Sequence, residues 1–140
     1  MINQSYEKLS SIDLNRYQSK SVLIIGSGYI ALEYIKALKK LKIKDITILS
    51  KNKNSVNNEL LSKYKIILGG FEKNIRKIEK KDLTIITTPI NLLVRAATLA
   101  IKSGQENILI EKPGSLFKTE LILLEKLIKK QKVRIAYNRL

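Results

Sequence analysis

Four short clusters combine residue types whose spacing suits chemistry. The first is Gly26-Ser27-Gly28-Tyr29-Ile30-Ala31, a G-x-G-x-x-A placed directly after the apolar run Ser21–Ile25. At a strand-to-helix turn each small residue has a task. Gly26 permits the tight turn, Gly28 lets a pyrophosphate approach the backbone, and Ala31 lets the helix lie close on the sheet. The start of the helix adds free N–H groups and a positive dipole end, so the cluster suits a dinucleotide. A strand–helix turn that binds nothing would use similar residues; the flanking strand and helix patterns favour the ligand.

The second position follows from the first. An Asp or Glu about 20 residues on, at the end of the next strand, would hold the adenosine ribose of NAD. Here that place reads Leu49-Ser50-Lys51-Asn52-Lys53, with Asp45 too early and Glu59 too late. A hydroxyl at Ser50 and a charge at Lys51 suit the extra 2′-phosphate of NADP instead, so NADP is favoured over NAD. Thr87-Thr88-Pro89 ends a later strand and would face the same ligand, although a threonine-capped, proline-started helix accounts for these residues too. Glu111-Lys112-Pro113 follows the apolar run Asn107–Ile110. Pro113 restrains Lys112 to an extended backbone and so aims it at a nicotinamide or a substrate hydroxyl. The competing reading is a solvated loop pair.

The elements that must position these residues alternate in period. Short apolar runs at 21–25, 45–49, 65–68, 82–87, 107–110 and 133–137 read as six strands, mostly buried on both faces. Between them lie helical patterns. Ile30, Tyr34, Leu38 and Leu41 share one stripe; 56–64 and 71–80 are weaker helices. Pro89 starts a helix ended by Gly104, and Gly114–Ser115 opens the last. This order predicts right-handed βαβ crossovers and an α/β doubly wound parallel sheet, the Rossmann fold. Residues 1–20 form an extension whose Ile2, Tyr6, Leu9 and Ile12 predict an extra N-terminal helix; 21–140 form the domain.

The 140 residues suit one domain with a real core. There is no cysteine and no histidine, which removes disulfides, thiolate metal sites and the commonest general base. The N-terminus lacks a signal-peptide layout and no run reaches membrane-spanning length, so a cytoplasmic protein with no membrane partner is expected. The net charge of +15 suggests a polyanion. Yet lysine, isoleucine and asparagine fill 54 of the 140 positions and share A/T-rich codons, while arginine appears five times. A solvated lysine surface therefore outweighs a nucleic-acid role.

G-x-G-x-x-A after the first strand, T-T-P after the fourth, E-K-P after the fifth and the closing A-Y-N-R together resemble the cofactor domain of the Gfo/Idh/MocA family, the glucose–fructose oxidoreductases and inositol dehydrogenases. The resemblance covers about residues 20–140. It implies NAD(P) binding and hydride transfer on a sugar, inositol or similar polyol or carbonyl substrate. It also implies that Gly26, Ser27, Gly28, Tyr29 and Ile30 hold the pyrophosphate, that Ser50 and Lys51 meet the adenosine ribose, and that Thr88, Pro89 and Glu111 line the cofactor. Lys112 becomes the active-site lysine, with Asn138 and Arg139 close by.

The chain departs from that family at Ile90 and at Leu93, where a histidine often stands, and the family's substrate domain is expected to be missing from it. Lys112 without a histidine or a substrate wall is a poor proton-transfer apparatus at neutral pH, given an ordinary pKa of ~10.4. The expected function is thus an NAD(P)-binding oxidoreductase domain, incomplete as a catalyst without a second domain. Such a domain would cover its open apolar surface by self-association. A stand-alone, non-catalytic dinucleotide module is the first alternative and a polyanion-binding protein the second. Tight NADP(H) binding without turnover marks the former; steep salt dependence of nucleic-acid affinity marks the latter.

Overall fold

The computed structural model describes residues 13–56 and 61–137. Six parallel strands form one sheet: β1 (Ser21–Ile25), β2 (Asp45–Leu49), β3 (Lys65–Ile67), β4 (Leu83–Ile86), β5 (Asn107–Ile110) and β6 (Lys132–Ile135), in the order β3-β2-β1-β4-β5-β6. This is the expected doubly wound α/β architecture. The central strands carry apolar residues on both faces because helices cover both, and Leu23, Ile24 and Ile25 are fully buried.

Among the described residues, four α-helices connect the strands: α1 (Tyr29–Lys40), α2 (Phe71–Asn74), α3 (Leu93–Lys102) and α4 (Lys118–Leu127). Ala31, Ile35 and Leu38 of α1 pack with Val22, Ile24, Ile46, Ile48 and Ile85 on one face of the sheet. On the other face α3 places Ala96, Ala97 and Ala100 against Leu23, Ile25, Ile86, Ile108 and Ile110, and α4 adds Leu124. Lys42, with φ of 60°, closes the end of α1 as its N–H bonds the Lys39 carbonyl. Gly104, with φ of 94°, ends α3 in the expected left-handed conformation.

Several boundaries differ from the sequence reading. The helix expected over 71–80 is one α-turn continued by a 3-10 turn, Ile75–Lys77. The helix after Pro89 begins with the 3-10 turn Ile90–Leu92. Gly114–Ser115 does not open α4. Gly114 (φ 85°) lies against Ile135, and the Ser115 hydroxyl accepts the Phe117 N–H at 3.0 Å and bonds Glu120, so the helix starts only at Lys118. The last strand runs from Lys132 to Ile135 and stops short of Tyr137. The N-terminal helix proposed for the extension falls mostly on residues 1–12, outside the described residues; Leu14–Tyr17 form a 3-10 turn. The 56–64 helix falls partly outside them as well, with a 3-10 turn at Leu61–Lys63.

Among the described residues, no helix is long and apolar enough to cross a membrane.

Candidate functional site

β1 and β4 are neighbours at the point where strand order reverses, since β1 leads out to β2 and β3 and β4 leads to β5 and β6. Doubly wound sheets take ligands in the crevice outside the strand carboxyl ends at this switch point. The topology sets the expected clusters around it: Gly26–Ile30 after β1, Thr87–Pro89 after β4 and Glu111–Lys112 after β5. Ser50 and Lys51 leave the end of β2.

The two motif glycines are required for different reasons. Gly26 has φ of 114°, and a β-carbon there would stand 2.6 Å from Thr87 Oγ1. Its N–H bonds the Leu49 carbonyl at 2.9 Å. The fold itself needs this glycine. Gly28 caps α1 with φ of −78°, and a β-carbon there would meet no atom within 4 Å. Among the described residues, nothing needs glycine at 28. Its bare backbone faces open space at the start of a twelve-residue helix with no side-chain cap. That leaves a cradle which a substituent would fill and a pyrophosphate would fit. Tyr29 and Ile30 are exposed beside it.

Ser27 is buried, and its hydroxyl lies 2.7 Å from that of Ser50. Ser50 is 1 % exposed and also donates to the Asn52 carbonyl at 3.1 Å. The structure therefore turns the Ser50 hydroxyl toward the glycine turn, and the exposed side chain at this strand end is Lys51. Among the described residues, no carboxylate follows directly on the end of β2.

Thr87 is locked to β1, with its N–H and hydroxyl both donating to the Ile25 carbonyl at 2.8 and 3.2 Å. Its neighbour is the opposite case. Thr88 Oγ1 is, among the described residues, the one buried side-chain oxygen or nitrogen without a hydrogen-bond partner. An orphaned hydroxyl costs about 1–3 kcal/mol, so this one is expected to meet a ligand or water. Pro89 caps the Ile90–Leu92 turn that follows.

Glu111 is anchored by its N–H to the Ile86 carbonyl at 3.0 Å, and its carboxylate accepts the Tyr34 hydroxyl at 2.6 Å. Burial, then the hydrogen bond to Glu111, holds the Tyr34 phenol well above the ordinary tyrosine pKa. Lys112 is exposed and followed by a cis peptide bond to Pro113. It lines a groove of about 380 Å³ together with Tyr34, Ala37, Glu111 and Tyr137. Asn138 and Arg139 lie outside the described residues.

Two polar residues here escaped the sequence reading. Tyr34 falls on the apolar stripe of α1, yet a buried tyrosine hydroxyl needs a partner, and that need is the signal its sequence position offers. Asn74 is buried and donates to the Leu68 and Gly70 carbonyls, both at 2.9 Å, holding the turn that flanks Ser50. Both carbonyls lie within six residues of it, yet an asparagine inside a helical pattern does not announce which carbonyls it will bond. Among the described residues, no group of three or more His, Cys, Asp or Glu side chains could hold a metal ion.

No protein-family model matches the chain. A shikimate dehydrogenase (NADP(+)) of Prochlorococcus marinus (strain MIT 9515) is 37% identical over 95 residues, 64% of this chain and 33% of that protein. Among solved structures, the WlbA dehydrogenase from Chromobacterium violaceum, in complex with NADH and UDP-GlcNAcA, matches with a TM-score of 0.74 and 16% identity, over 85% of this chain and 35% of its own. The myo-inositol 2-dehydrogenase from Lactobacillus plantarum matches with a TM-score of 0.67 and 22% identity, over 84% and 36%. The chain thus spans about a third of the length of the curated relatives and solved structures it matches. At these identities the structural likeness establishes the fold, the parallel α/β architecture that these dehydrogenases share.

Proposed function

We propose that residues 21–140 are the dinucleotide-binding domain of an NAD(P)-dependent oxidoreductase of the Gfo/Idh/MocA kind, with residues 1–20 an appendage to it. The observation that carries this reading is the pairing at the switch point of an open glycine cradle at Gly28 with the orphaned hydroxyl of Thr88. Both are unexplained by the protein's own packing, and both fit a bound dinucleotide. The N–H groups from Ser27 to Ile30 would hold the pyrophosphate, with Gly26, whose own N–H is taken by the Leu49 carbonyl, shaping the turn and Ser27 bracing it through Ser50. Thr87, Thr88, Pro89 and Glu111 would line the cofactor beyond the pyrophosphate.

When bound, the cofactor supplies hydride transfer to or from a carbon of a polyol, sugar or carbonyl substrate. Lys112 would donate a hydrogen bond to the reacting oxygen of that substrate and so polarise it. A further domain would supply the substrate wall and the acid–base groups that a chain without histidine lacks. Lys51, exposed where NAD-binding sheets carry a carboxylate, supports a preference for NADP.

The sequence match to the NADP-dependent shikimate dehydrogenases favours a second reading, in which the same domain serves a shikimate-type substrate. Both readings use one cofactor site and differ in what meets Lys112. Calorimetric titration of the chain with NADPH, NADH and ADP-ribose tests the shared part. Saturable binding, tighter for NADPH, is expected, and a folded protein that binds none of the three would refute it. Cofactor turnover with shikimate or myo-inositol, measured once that further domain is supplied, then separates the two substrates.

A further inference from the structure

Glu111 and Lys112 are consecutive, oppositely charged and set on the rim of one groove, yet they do not pair. Lys112 makes no ion pair or hydrogen bond to any described residue. The Glu111 carboxylate is taken instead by the Tyr34 hydroxyl at 2.6 Å, across 77 positions of sequence. The other carboxylate lining the groove, Glu33, is bonded to Lys36 at 2.7 Å. Both acids of the groove are therefore engaged elsewhere, and the Lys112 ammonium is the one charged group lining it that has no partner among the described residues.

We infer that Tyr34 is a positioning residue for Lys112: by holding the Glu111 carboxylate against α1, it keeps the neighbouring ammonium unpaired and available to a ligand oxygen. The energetic order supports this. A hydrogen bond to a carboxylate in a part-buried site outweighs an ion pair between two solvated side chains, so the carboxylate stays with the phenol. Remove the phenol and the freed Glu111 carboxylate can turn to Lys112, the next residue and the cation lining the same groove. The nature of the ligand rests on the function proposed above; the arrangement of the three side chains does not.

Limited acetylation of the full chain with acetic anhydride, read by peptide mass spectrometry, reports how free each lysine is. Lys112 labelling is normalised to the exposed Lys102 in the same sample. Tyr34→Phe keeps the ring that packs against the core, and it should lower Lys112 labelling several-fold. Tyr34→Phe/Glu111→Gln should restore it, a rescue that no general loosening of the fold would produce. Glu111→Gln alone, with Tyr34 intact, should leave Lys112 labelling at the wild-type level. Increased labelling in that single variant would show Lys112 already paired in the native protein and overturn the inference. So would unchanged labelling in a folded Tyr34→Phe protein. These readouts need no cofactor, so absent NADPH binding with this pattern intact would refute the dinucleotide reading alone.

Discussion

Gly26 and Thr87 meet across the switch point so closely that a β-carbon at residue 26 would stand 2.6 Å from Thr87 Oγ1 and 2.9 Å from its carbonyl carbon and oxygen. Thr87 cannot yield, because its N–H and hydroxyl both bind the Ile25 carbonyl one residue before the glycine. The two strands are thereby pinned at the place where their following loops must diverge to open the crevice.

Gly26→Ala should destabilise the protein by about 2–3 kcal/mol in urea unfolding, from a φ of 114° combined with overlap on Thr87. Gly28→Ala should change stability by less than ~0.5 kcal/mol, because its φ is ordinary and its β-carbon meets open space. The ligand should reverse this contrast. Gly28→Ala is expected to abolish NADPH binding in calorimetry while the domain stays folded. Retained affinity in that variant would remove Gly28 from the site.

Thr88→Val replaces an orphaned hydroxyl with a methyl group of similar size. Deleting a buried hydroxyl that has no partner should leave the free protein as stable as before, or more stable by up to ~1 kcal/mol. The same change should weaken dinucleotide affinity about tenfold, a loss of ~1.4 kcal/mol, if that hydroxyl meets the cofactor. Opposite signs for stability and binding are the mark of a group held for a ligand.

Ser50→Ala should cost about 1–2 kcal/mol in thermal or urea unfolding, because it leaves the buried Ser27 hydroxyl without its partner. Lys51→Glu acts on an exposed side chain and should leave stability nearly unchanged. It should cut NADPH affinity by an order of magnitude or more and spare NADH. Equal losses for both cofactors would place Lys51 away from the 2′-phosphate.

Alkaline unfolding should carry a signature of Tyr34. Burial and the facing Glu111 carboxylate raise its pKa in the folded state above the unfolded value of 10.0. The phenol's contribution is then complete below pH ~10 and fades as pH climbs toward the folded value. Lys81 has the same sign. Its burial acts against the charge, but hydrogen bonds to Asp45 and Glu79 outweigh it and raise the pKa from 10.5. In urea unfolding from about pH 8 to pH 11, stability should fall with pH above ~10, and less steeply in Tyr34→Phe. An identical slope in that variant would contradict the Tyr34–Glu111 bond.

Order and type of the strands were legible in the sequence because each is a short apolar run bounded by polar or glycine-rich turns. SVLII, DITIL and NILI occupy the bounds read from sequence, Ser21–Ile25, Asp45–Leu49 and Asn107–Ile110. Alternation with helical patterns then left a parallel sheet with buried faces as the arrangement able to cover them. The position of the candidate site was legible for a related reason: strand carboxyl ends in such a sheet converge on the switch point wherever the loops carry glycine and polar residues. Helix starts near 93 and 118 were not legible. A proline, or a Gly–Ser pair, marks a turn without saying how many residues the turn takes before the helix begins. Tertiary structure alone decided which hydroxyls are spent and which are left without a partner. Ser27 meets Ser50 across 23 positions and Tyr34 meets Glu111 across 77, and partners so distant leave no periodicity to read. Thr87 and Thr88 are adjacent and chemically identical. The β1–β4 register points one hydroxyl at a strand carbonyl and buries the other with no partner, a distinction that exists only once the two strands lie side by side.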